Sequence, residues 1–591
     1  MKQFRPLAAA AACVLPAFAG ASEEYSLSPV VVTPALTAQT VDQSLSSVTV
    51  IDREVLDRQQ PRELSDALQG QPGVSIVSNG SFGKNTTVFL RGTGSESSML
   101  LINGVRIRSA TSGGAPWQFV PPQLLDRLEI VRGPRSSIYG ADAVGGVVQG
   151  FTAEGEGAPS GWIQAGGGSH SSYEVGAGVS GRADNTSYSL AGNWFDTDGV
   201  PVREGEERKG YDNTAGVGSI RQHFDGGGSV GLTAFRAEGN TEFDTGDTDY
   251  AIQTIGASGE VPITRDWIAE VMLSEGRDES LTDGESRFDT RSRTARVANR
   301  VYLGVHEFVV GADYMVDDIS SSTDFDEDSR YNTGVFSQLF LDSGPADVQL
   351  SLRWDDNEAF GDRVTGAAAV GHALDDSHRV RLSYGTAFRA PTFNDLYFPD
   401  FGNPDLSPER SQTAELGIRG QYALGYWDVA IFETHVDDLI AFDAAAGAPG
   451  NVDRARIQGV ELEAGHRVAD WDIRGTVTLQ DPRDRDTGDR LVRRTSQSAR
   501  LDVDRQLDDL SFGATATAVG DRYNDAANED RLSGFGLLNL RAGWEFARNW
   551  SARVTVDNVF DKDYAVSRFF DGTPYNQAGR TAFLSVRYGH R

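Results

Sequence analysis

The sequence predicts a transmembrane β-barrel preceded by a compact α/β domain. Three observations indicate this fold class: segments of alternating apolar and polar residues recur from about residue 160 to the last residue, the chain begins with an export signal, and no run of 18 apolar residues follows that signal. A barrel strand needs an apolar residue only at every second position, because its other face lines a polar lumen. A helical membrane span needs about 20 consecutive apolar residues, so the sequence excludes one.

The alternation is regular in several segments. Residues 348–354 (VQLSLRW) and 550–556 (WSARVTV) place apolar side chains at every second position, and residues 471–479 repeat the rhythm. A large soluble β-sandwich or propeller is the alternative fold. The chain shows no repeat of propeller-blade length, and the export signal favours an outer membrane.

The first 21 residues are typical of a signal peptide. Lys2 and Arg5 precede an apolar stretch over residues 7–19, and small residues allow cleavage after Ala19 or Ala21. The only cysteine, Cys13, lies inside this signal and lacks the leucine of a lipoprotein box. The mature chain therefore has no disulfide, no thiolate metal site and no cysteine nucleophile.

Charge and motifs exclude other function classes. The net charge of −31, from 85 acidic and 54 basic residues, argues against nucleic acid as a partner. The stretch NGSFGKNT fails the spacing of a phosphate-binding loop. No HExxH motif, nucleophile–base set or pair of catalytic carboxylates stands out, so we expect no enzyme activity and no cofactor.

Residues 45–152 form a unit of different composition. The pattern indicates a short strand, a helix beginning near Asp52, a second helix ended by Gly70 and Pro72, and a strand over residues 74–77. Its most specific phrases are LSDALQGQPGV, VFLRGTGSESSMLLINGVRI and LDRLEIVRGPRSSIYGADAVGGVV. These phrases resemble the plug domain of TonB-dependent outer-membrane receptors.

Motifs near the other end resemble the barrel of the same family. They are YGTAFRAPTFNDLY, GNPDLSPERSQTAELGIRG, NVDRARIQGVELEA and VDNVFDKDY. The resemblance implies a plug at 45–152 inside the lumen of a barrel of about 22 antiparallel strands at 153–591. It also implies an outer-membrane location, contact with membrane lipid and, we expect, a monomer.

A valine-rich heptapeptide precedes the plug. Residues 28–34 are Ser28, Pro29, Val30, Val31, Val32, Thr33 and Pro34, and they resemble the TonB box. Extended β-branched residues can join the sheet of another protein through main-chain hydrogen bonds. We expect the flanking prolines to keep the segment out of the sheet of its own domain, so that TonB can bind it. A disordered terminus with chance valines is the alternative.

The cargo is predicted by subfamily resemblance. NGSFGKNTTVFLRGTGSESSMLLINGVRI and IVRGPRSSIYGADAVGGVV resemble the cobalamin transporters most closely, with ferric siderophore receptors as the rival. Haem is disfavoured because the stretch between Phe388 and Pro404 contains no histidine. Carrying the corrinoid site over from the resemblance gives these candidate ligand-binding residues: Lys84, Asn85, Thr86, Thr87, Gly94, Ser95, Ser112 and Gly113. Lys84 and Gly94 depart from the cobalamin pattern, and polar loop tips without a binding role are the alternative.

Three plug arginines are expected to be structural. Arg91, Arg132 and Arg135 suit bidentate pairing with carboxylates in a confined lumen, and Glu415 and Glu461 are the candidate barrel partners. Such pairs would hold the plug without sealing it permanently.

Acidic early hairpins resemble the calcium-binding loops of the cobalamin transporters. The candidate calcium ligands are Asp198, Asp212, Asp244, Asp247 and Asp249. Calcium prefers six to eight oxygen ligands, which converging loops could supply. Solvated loops in an aspartate-rich chain are the alternative, and Phe243 stands where the family offers a tyrosine.

Overall fold

A closed barrel of 22 antiparallel strands surrounds a small α/β domain in the computed structural model, which describes residues 29–35, 37–443 and 447–589. The predicted fold class and strand number are confirmed. Ser28 and the predicted signal peptide lie outside the described residues. No helix in the described ranges is long and apolar enough to cross a membrane.

The domain inside the barrel, which we call the plug, is built from short elements. Its strands and helices are β1 (Val30–Val31), β2 (Gln39–Thr40), β3 (Val48–Asp52), α1 (Arg53–Gln59), α2 (Leu64–Leu68), β4 (Val74–Ser78), β5 (Thr86–Leu90), β6 (Ser98–Ile102), β7 (Val105–Ile107), β8 (Arg127–Arg132), α3 (Ser136–Tyr139) and β9 (Gly146–Phe151). The helices predicted near Asp52 and before Gly70, and the strand predicted at 74–77, are confirmed. Asp52 caps α1 by accepting a hydrogen bond from the backbone N–H of Val55 at 2.9 Å.

The barrel follows directly. Its strands are β10 (Ser160–Gly168), β11 (Ser172–Ala183), β12 (Thr186–Pro201), β13 (Arg208–His223), β14 (Ser229–Glu242), β15 (Asp247–Thr264), β16 (Trp267–Thr282), β17 (Ser286–Leu303), β18 (His306–Ser321), β19 (Ser329–Asp342), β20 (Ala346–Asn357), β21 (Gly361–Ala373), β22 (His378–Arg389), β23 (Glu409–Tyr422), β24 (Gly425–Asp443), β25 (Ala448–Val468), β26 (Trp471–Asp484), β27 (Gln497–Leu507), β28 (Leu510–Val519), β31 (Phe535–Ala547), β32 (Trp550–Asp557) and β33 (Thr581–Gly589). A helix, α4 (Phe393–Tyr397), and a small pair, β29 (Arg522–Tyr523) with β30 (Arg531–Leu532), lie in the connections.

Along the barrel strands, successive side chains point alternately to the outside and to the lumen. In β20 the apolar residues Leu350, Leu352 and Trp354 are exposed on the outside, whereas Ser351 and Arg353 between them are buried inside. Lipid contact on one face and a polar lumen on the other explain this inversion of the usual soluble pattern. Pairing of β33 with both β32 and β10 closes the barrel, so the described barrel strands leave no free sheet edge.

The main plug sheet crosses the lumen. Its strand order is β3-β8-β9-β6-β7, with β6 and β9 parallel and the other pairs antiparallel. Strand β7 lies against barrel strands β15 and β16, and Thr49 of the opposite edge strand β3 reaches β25. The two ends of the barrel differ: residues 423–424 form a short turn at one end, whereas residues 390–408 form a long loop at the other.

Candidate functional site

A buried ion-pair cluster joins the plug to the barrel wall. Arg91 donates two parallel hydrogen bonds to Glu461, each 2.9 Å long, and a third to Glu415 at 2.7 Å. Its guanidinium also lies 4.3 Å from the ring centre of Phe432. All three charged side chains are almost fully buried, so the pairing is shielded from water.

Two further arginines complete this cluster. Arg132 of β8 lies 3.1 Å from Glu461, and Arg381 of β22 contacts both Glu415 at 3.2 Å and Asp428 at 2.7 Å. Arg419 also lies 3.9 Å from Asp428, so every carboxylate of the cluster is paired with at least two arginines. The structure confirms the predicted role of Arg91 and Arg132 and both predicted glutamates.

Arg135 differs from the prediction. Its guanidinium donates to the carbonyl of Pro134 at 2.8 Å and forms no ion pair within the described residues. Burial lowers the pKa of Arg135 to about 10, despite the opposing influence of Glu415.

The valine-rich segment is docked onto the plug. Strand β1 pairs with β2 through Val30 opposite Thr40 and Val31 opposite Gln39, and the N–H of Val41 donates to the carbonyl of Pro29. The segment therefore stays out of the five-stranded plug sheet, but it is not free to pair with another protein, because residues 39–40 already pair with it. The prolines lie outside the two paired residues, so their missing N–H groups do not interrupt the pairing.

Thr33 is fully buried where this segment contacts the plug. Its hydroxyl donates to Glu129 at 2.6 Å, its N–H donates to the same carboxylate at 3.0 Å, and its carbonyl accepts from the Tyr139 hydroxyl at 3.0 Å. Glu129 is fully buried and also pairs with Arg127 at 3.1 Å. Sequence reasoning missed Glu129, although a carboxylate within the apolar strand RLEIVR signals a buried partner.

The plug presents three loops toward the long-loop end of the barrel. Among the candidate ligand-binding residues, Asn85 at the end of the first loop and Ser112 in the third loop are exposed, whereas Thr87, Gly94 and Ser95 are half-buried. Thr86 and Gly113 are buried, and the Thr86 hydroxyl donates to the Lys84 carbonyl at 2.9 Å. The structure thus places exposed amide and hydroxyl groups on this face, and their contact with a solute stays a prediction.

Lys84 is directed inward instead of toward the loop tip. It is 2% exposed, and its ammonium donates to the carbonyls of Phe82 and Gly210 at 3.0 Å each and to Thr241 at 3.3 Å. Lys84 therefore ties the first loop to β13 and β14. Gly83 before it has φ +73°, and a Cβ there would lie 2.0 Å from the Tyr211 ring, so glycine is required.

A different barrel loop contacts each plug loop. Ala578 donates through its N–H to Ser81 in the first, Arg494 donates to the Thr93 carbonyl beside the second, and Asn394 donates to the Thr111 carbonyl in the third. The three barrel loops are residues 558–580, 485–496 and 390–408. The plug face is thus enclosed from three directions, a feature that sequence reasoning missed.

The candidate calcium ligands contact different partners. Asn240 donates to Asp247 at 2.7 Å and to Asp249 at 2.8 Å, and its N–H donates to Asp212 at 3.2 Å. Asp244 instead pairs with Arg203 at 2.6 Å, and Asp198 lies 3.6 Å from Arg208. No set of three acidic, histidine or cysteine residues in the described ranges is arranged to hold a metal ion. This arrangement does not fit calcium as it stands, and calcium binding stays a prediction.

Family models match both parts of the chain. The TonB-dependent receptor plug domain matches residues 40–147, and the TonB-dependent receptor-like β-barrel matches residues 157–559. The chain belongs to the TonB-dependent receptor family. The receptor is therefore an outer-membrane, TonB-dependent transporter, its short-turn end is periplasmic, and its long loops are extracellular.

Similar proteins extend over the whole receptor. The vitamin B12 transporter BtuB of Photobacterium profundum is 30% identical over 100% of both chains, and that of Vibrio vulnificus is 28% identical over 96% of both. Among solved structures, the ferripyoverdine receptor of Pseudomonas aeruginosa superposes with a TM-score of 0.81 at 16% identity, covering 95% of this chain and 89% of that one. The siderophore receptor PiuA of Acinetobacter baumannii has a TM-score of 0.81 at 17% identity, covering 93% and 98%. At these identities the solved structures establish the fold alone.

The buried cluster predicts a large effect of removing Arg91. Arg91→Ala leaves Glu415 and Glu461 without their shared partner, which should lower the free energy of local plug opening by about 3–5 kcal/mol. Hydrogen exchange of the β5 amides in the purified receptor measures this change. The matched control is Arg454→Ala, because Arg454 pairs with Asp486 where both side chains are exposed and should change the value by less than about 1 kcal/mol. Equal effects of the two substitutions would contradict the assignment.

Lys84 predicts an unusual pH dependence. Burial lowers the pKa of its ammonium from 10.5 to about 8. Between pH 8 and pH 10.5 the opened loop binds more protons than the closed loop. The free energy of opening the first loop should therefore rise with pH across this range, by at most about 3 kcal/mol. Proteolysis of the first loop by an alkali-tolerant protease measures this, and Lys84→Met serves as the control that cancels the protease's own pH profile. Identical profiles for the two proteins would show that Lys84 does not titrate in this range.

Proposed function

We propose that this receptor imports a corrinoid of the cobalamin class across the outer membrane. The observation that carries the proposal is the similarity to a vitamin B12 transporter along the entire length of both chains. The match spans the regions of the plug loops and the extracellular loops, and loops commonly carry the binding residues of a protein.

The chemistry of the plug face supports the same cargo. Asn85, Ser95 and Ser112 offer uncharged amide and hydroxyl groups at or near the loop tips, while the one plug-loop lysine, Lys84, is directed inward. Uncharged donors and acceptors suit a cargo fringed with amides. A few convergent polar groups in an enclosed site are typical of specific binding to such a molecule.

A ferric siderophore is the second candidate, and two arginines favour it. Arg493 donates to Asn524 at 3.0 Å and Arg494 to the Thr93 carbonyl at 3.1 Å, but neither forms an ion pair within the described residues. Cations without a carboxylate partner beside the enclosed face would suit an anionic iron chelate.

Binding by the purified receptor distinguishes the two cargoes. We expect saturable binding of cyanocobalamin that a ferric hydroxamate or ferric catecholate does not displace. Binding of a ferric chelate without binding of cyanocobalamin would overturn the proposal and favour the second candidate.

The plug face predicts which residues contact the cargo. Asn85→Ala combined with Ser112→Ala should weaken cyanocobalamin binding about tenfold, because two hydrogen bonds contribute about 1–3 kcal/mol together. The matched control is Asn185→Ala, an exposed amide in the turn between β11 and β12 at the opposite end of the barrel. Heat-modifiable migration on gels reports whether the barrel is intact. Unchanged affinity with an intact barrel would remove these two residues from the site.

A further inference from the structure

Three extracellular segments of the barrel meet at Arg203. This arginine follows β12, Asp244 follows β14, and Asp571 lies in the loop of residues 558–580 between β32 and β33. The Arg203 guanidinium is 2.6 Å from Asp244 and 3.0 Å from Asp571. It is also 3.9 Å from Glu206 of its own loop. One cation therefore ties the loop after β12 to two other extracellular segments.

The part of the third segment that Arg203 contacts, residues 567–575, is a tight hairpin. The N–H of Tyr575 donates to the carbonyl of Ser567 at 3.1 Å and closes it. The Phe569 ring centre lies 3.5 Å from the Arg203 guanidinium and 3.6 Å from the centre of the Tyr575 ring. Two groups this close to one ring centre must occupy opposite faces of the ring. Stacking therefore fixes the hairpin in addition to charge.

The base of the same hairpin contacts the first plug loop. The Ser567 hydroxyl donates to the Ser78 carbonyl at 3.0 Å. Just after the hairpin, the Gln577 amide donates to the same carbonyl at 3.3 Å, and the N–H of Ala578 donates to Ser81 at 2.9 Å. The hairpin therefore connects the first plug loop to the barrel loop that carries the central arginine.

The carboxylates around Arg203 have the same sign of charge and lie close together. Desolvation, followed by a hydrogen bond with Asp244, raises the pKa of Glu206. Asp571 adds a third negative charge beside the same guanidinium. Isolated exposed ion pairs contribute little to stability, whereas several charges in one network contribute more. Arginine suits this position because its fork of N–H donors reaches two carboxylates while its flat face stacks on a ring.

Arg203 engages one of the candidate calcium ligands. Calcium joins loops by collecting oxygen ligands from each of them. Because Asp244 is paired with Arg203, it is not a free ligand in this arrangement. Asp212, Asp247 and Asp249 share an asparagine as their partner and take no part in the contacts of Arg203.

We propose that Arg203 is a positioning residue for cargo binding: a resident cation that clamps the hairpin 567–575 against the first plug loop without a bound metal ion. The clamp orders the loop that carries Asn85 before cargo arrives, which reduces the entropy lost on binding. The proposal holds for any cargo of the receptor and does not depend on the corrinoid proposal. Calcium bound by Asp212, Asp247 and Asp249 alone would leave it unchanged.

Hydrogen exchange in the purified mature receptor, without cargo and in a chelator of divalent cations, tests the clamp. The Tyr575 amide reports the hairpin, and the Asn79 amide, which donates to the Asn85 carbonyl at 3.0 Å, reports the first plug loop. Arg203→Met keeps a long side chain over the Phe569 ring and removes the charge, whereas Arg203→Lys keeps the charge.

The matched control is Arg208→Met. Arg208 follows the same loop, and its guanidinium lies 3.6 Å from Asp198 where both side chains are exposed. Such a pair contributes little, so this variant should exchange like the unsubstituted receptor.

The clamp predicts slow exchange of both amides in the unsubstituted receptor. Arg203→Met should exchange both about tenfold faster, because it leaves three carboxylates without their shared cation. Arg203→Lys should recover part of the slow exchange.

Three results would overturn the proposal. Unchanged exchange in Arg203→Met would show that packing on Phe569, and not charge, holds the hairpin. Faster exchange of the Tyr575 amide alone would show that the hairpin does not position the plug loop. Slowing of the Tyr575 amide of the unsubstituted receptor by millimolar calcium would show that a metal ion orders the hairpin.

Discussion

The confinement of charge inside a dry lumen is the constraint on which the rest of the receptor depends. Arg91, Arg132 and Arg381 pair with Glu415, Glu461 and Asp428 in the buried interface between plug and barrel. Breaking one member leaves buried charges unpaired, so the plug is held in register with the wall. Because the contacts are ionic and not a continuous apolar core, they can be exchanged for water when the plug is displaced. This combination suits a closure that must be firm at rest and reversible under load.

Two sides of the barrel contact the plug in different ways. Strands β12–β15 contact the plug through an apolar cluster, whereas β23 and β25 contact it through the buried ion pairs of Glu415 and Glu461. Because Thr33 is hydrogen-bonded to the buried Glu129, the predicted TonB box must first be released from the plug before the sheet of another protein can pair with it.

Sequence reasoning reached the parts that depend on local pattern. Alternation identified the barrel, the turn and helix signals located α1, α2 and β4, and the arginine-rich plug motifs pointed to Arg91 and Arg132 with Glu415 and Glu461. Sequence reasoning failed where a side chain can point either toward solvent or into the protein. Lys84 looked like a loop-tip cation, yet neighbouring carbonyls of β13 draw its ammonium inward, and the pairing of Val31 with Gln39 depends on a register that no short motif encodes.

Coupling between the box and transport is the central claim, and one substitution tests it directly. Val31→Pro removes a main-chain donor from the predicted TonB box, while the plug loops lie at the other end of the lumen. Cells expressing this variant should bind labelled cargo at their surface with nearly unchanged affinity and should fail to accumulate it in a proton-gradient-dependent manner. Accumulation at the rate of the unsubstituted receptor, abolished equally by an uncoupler, would contradict the account.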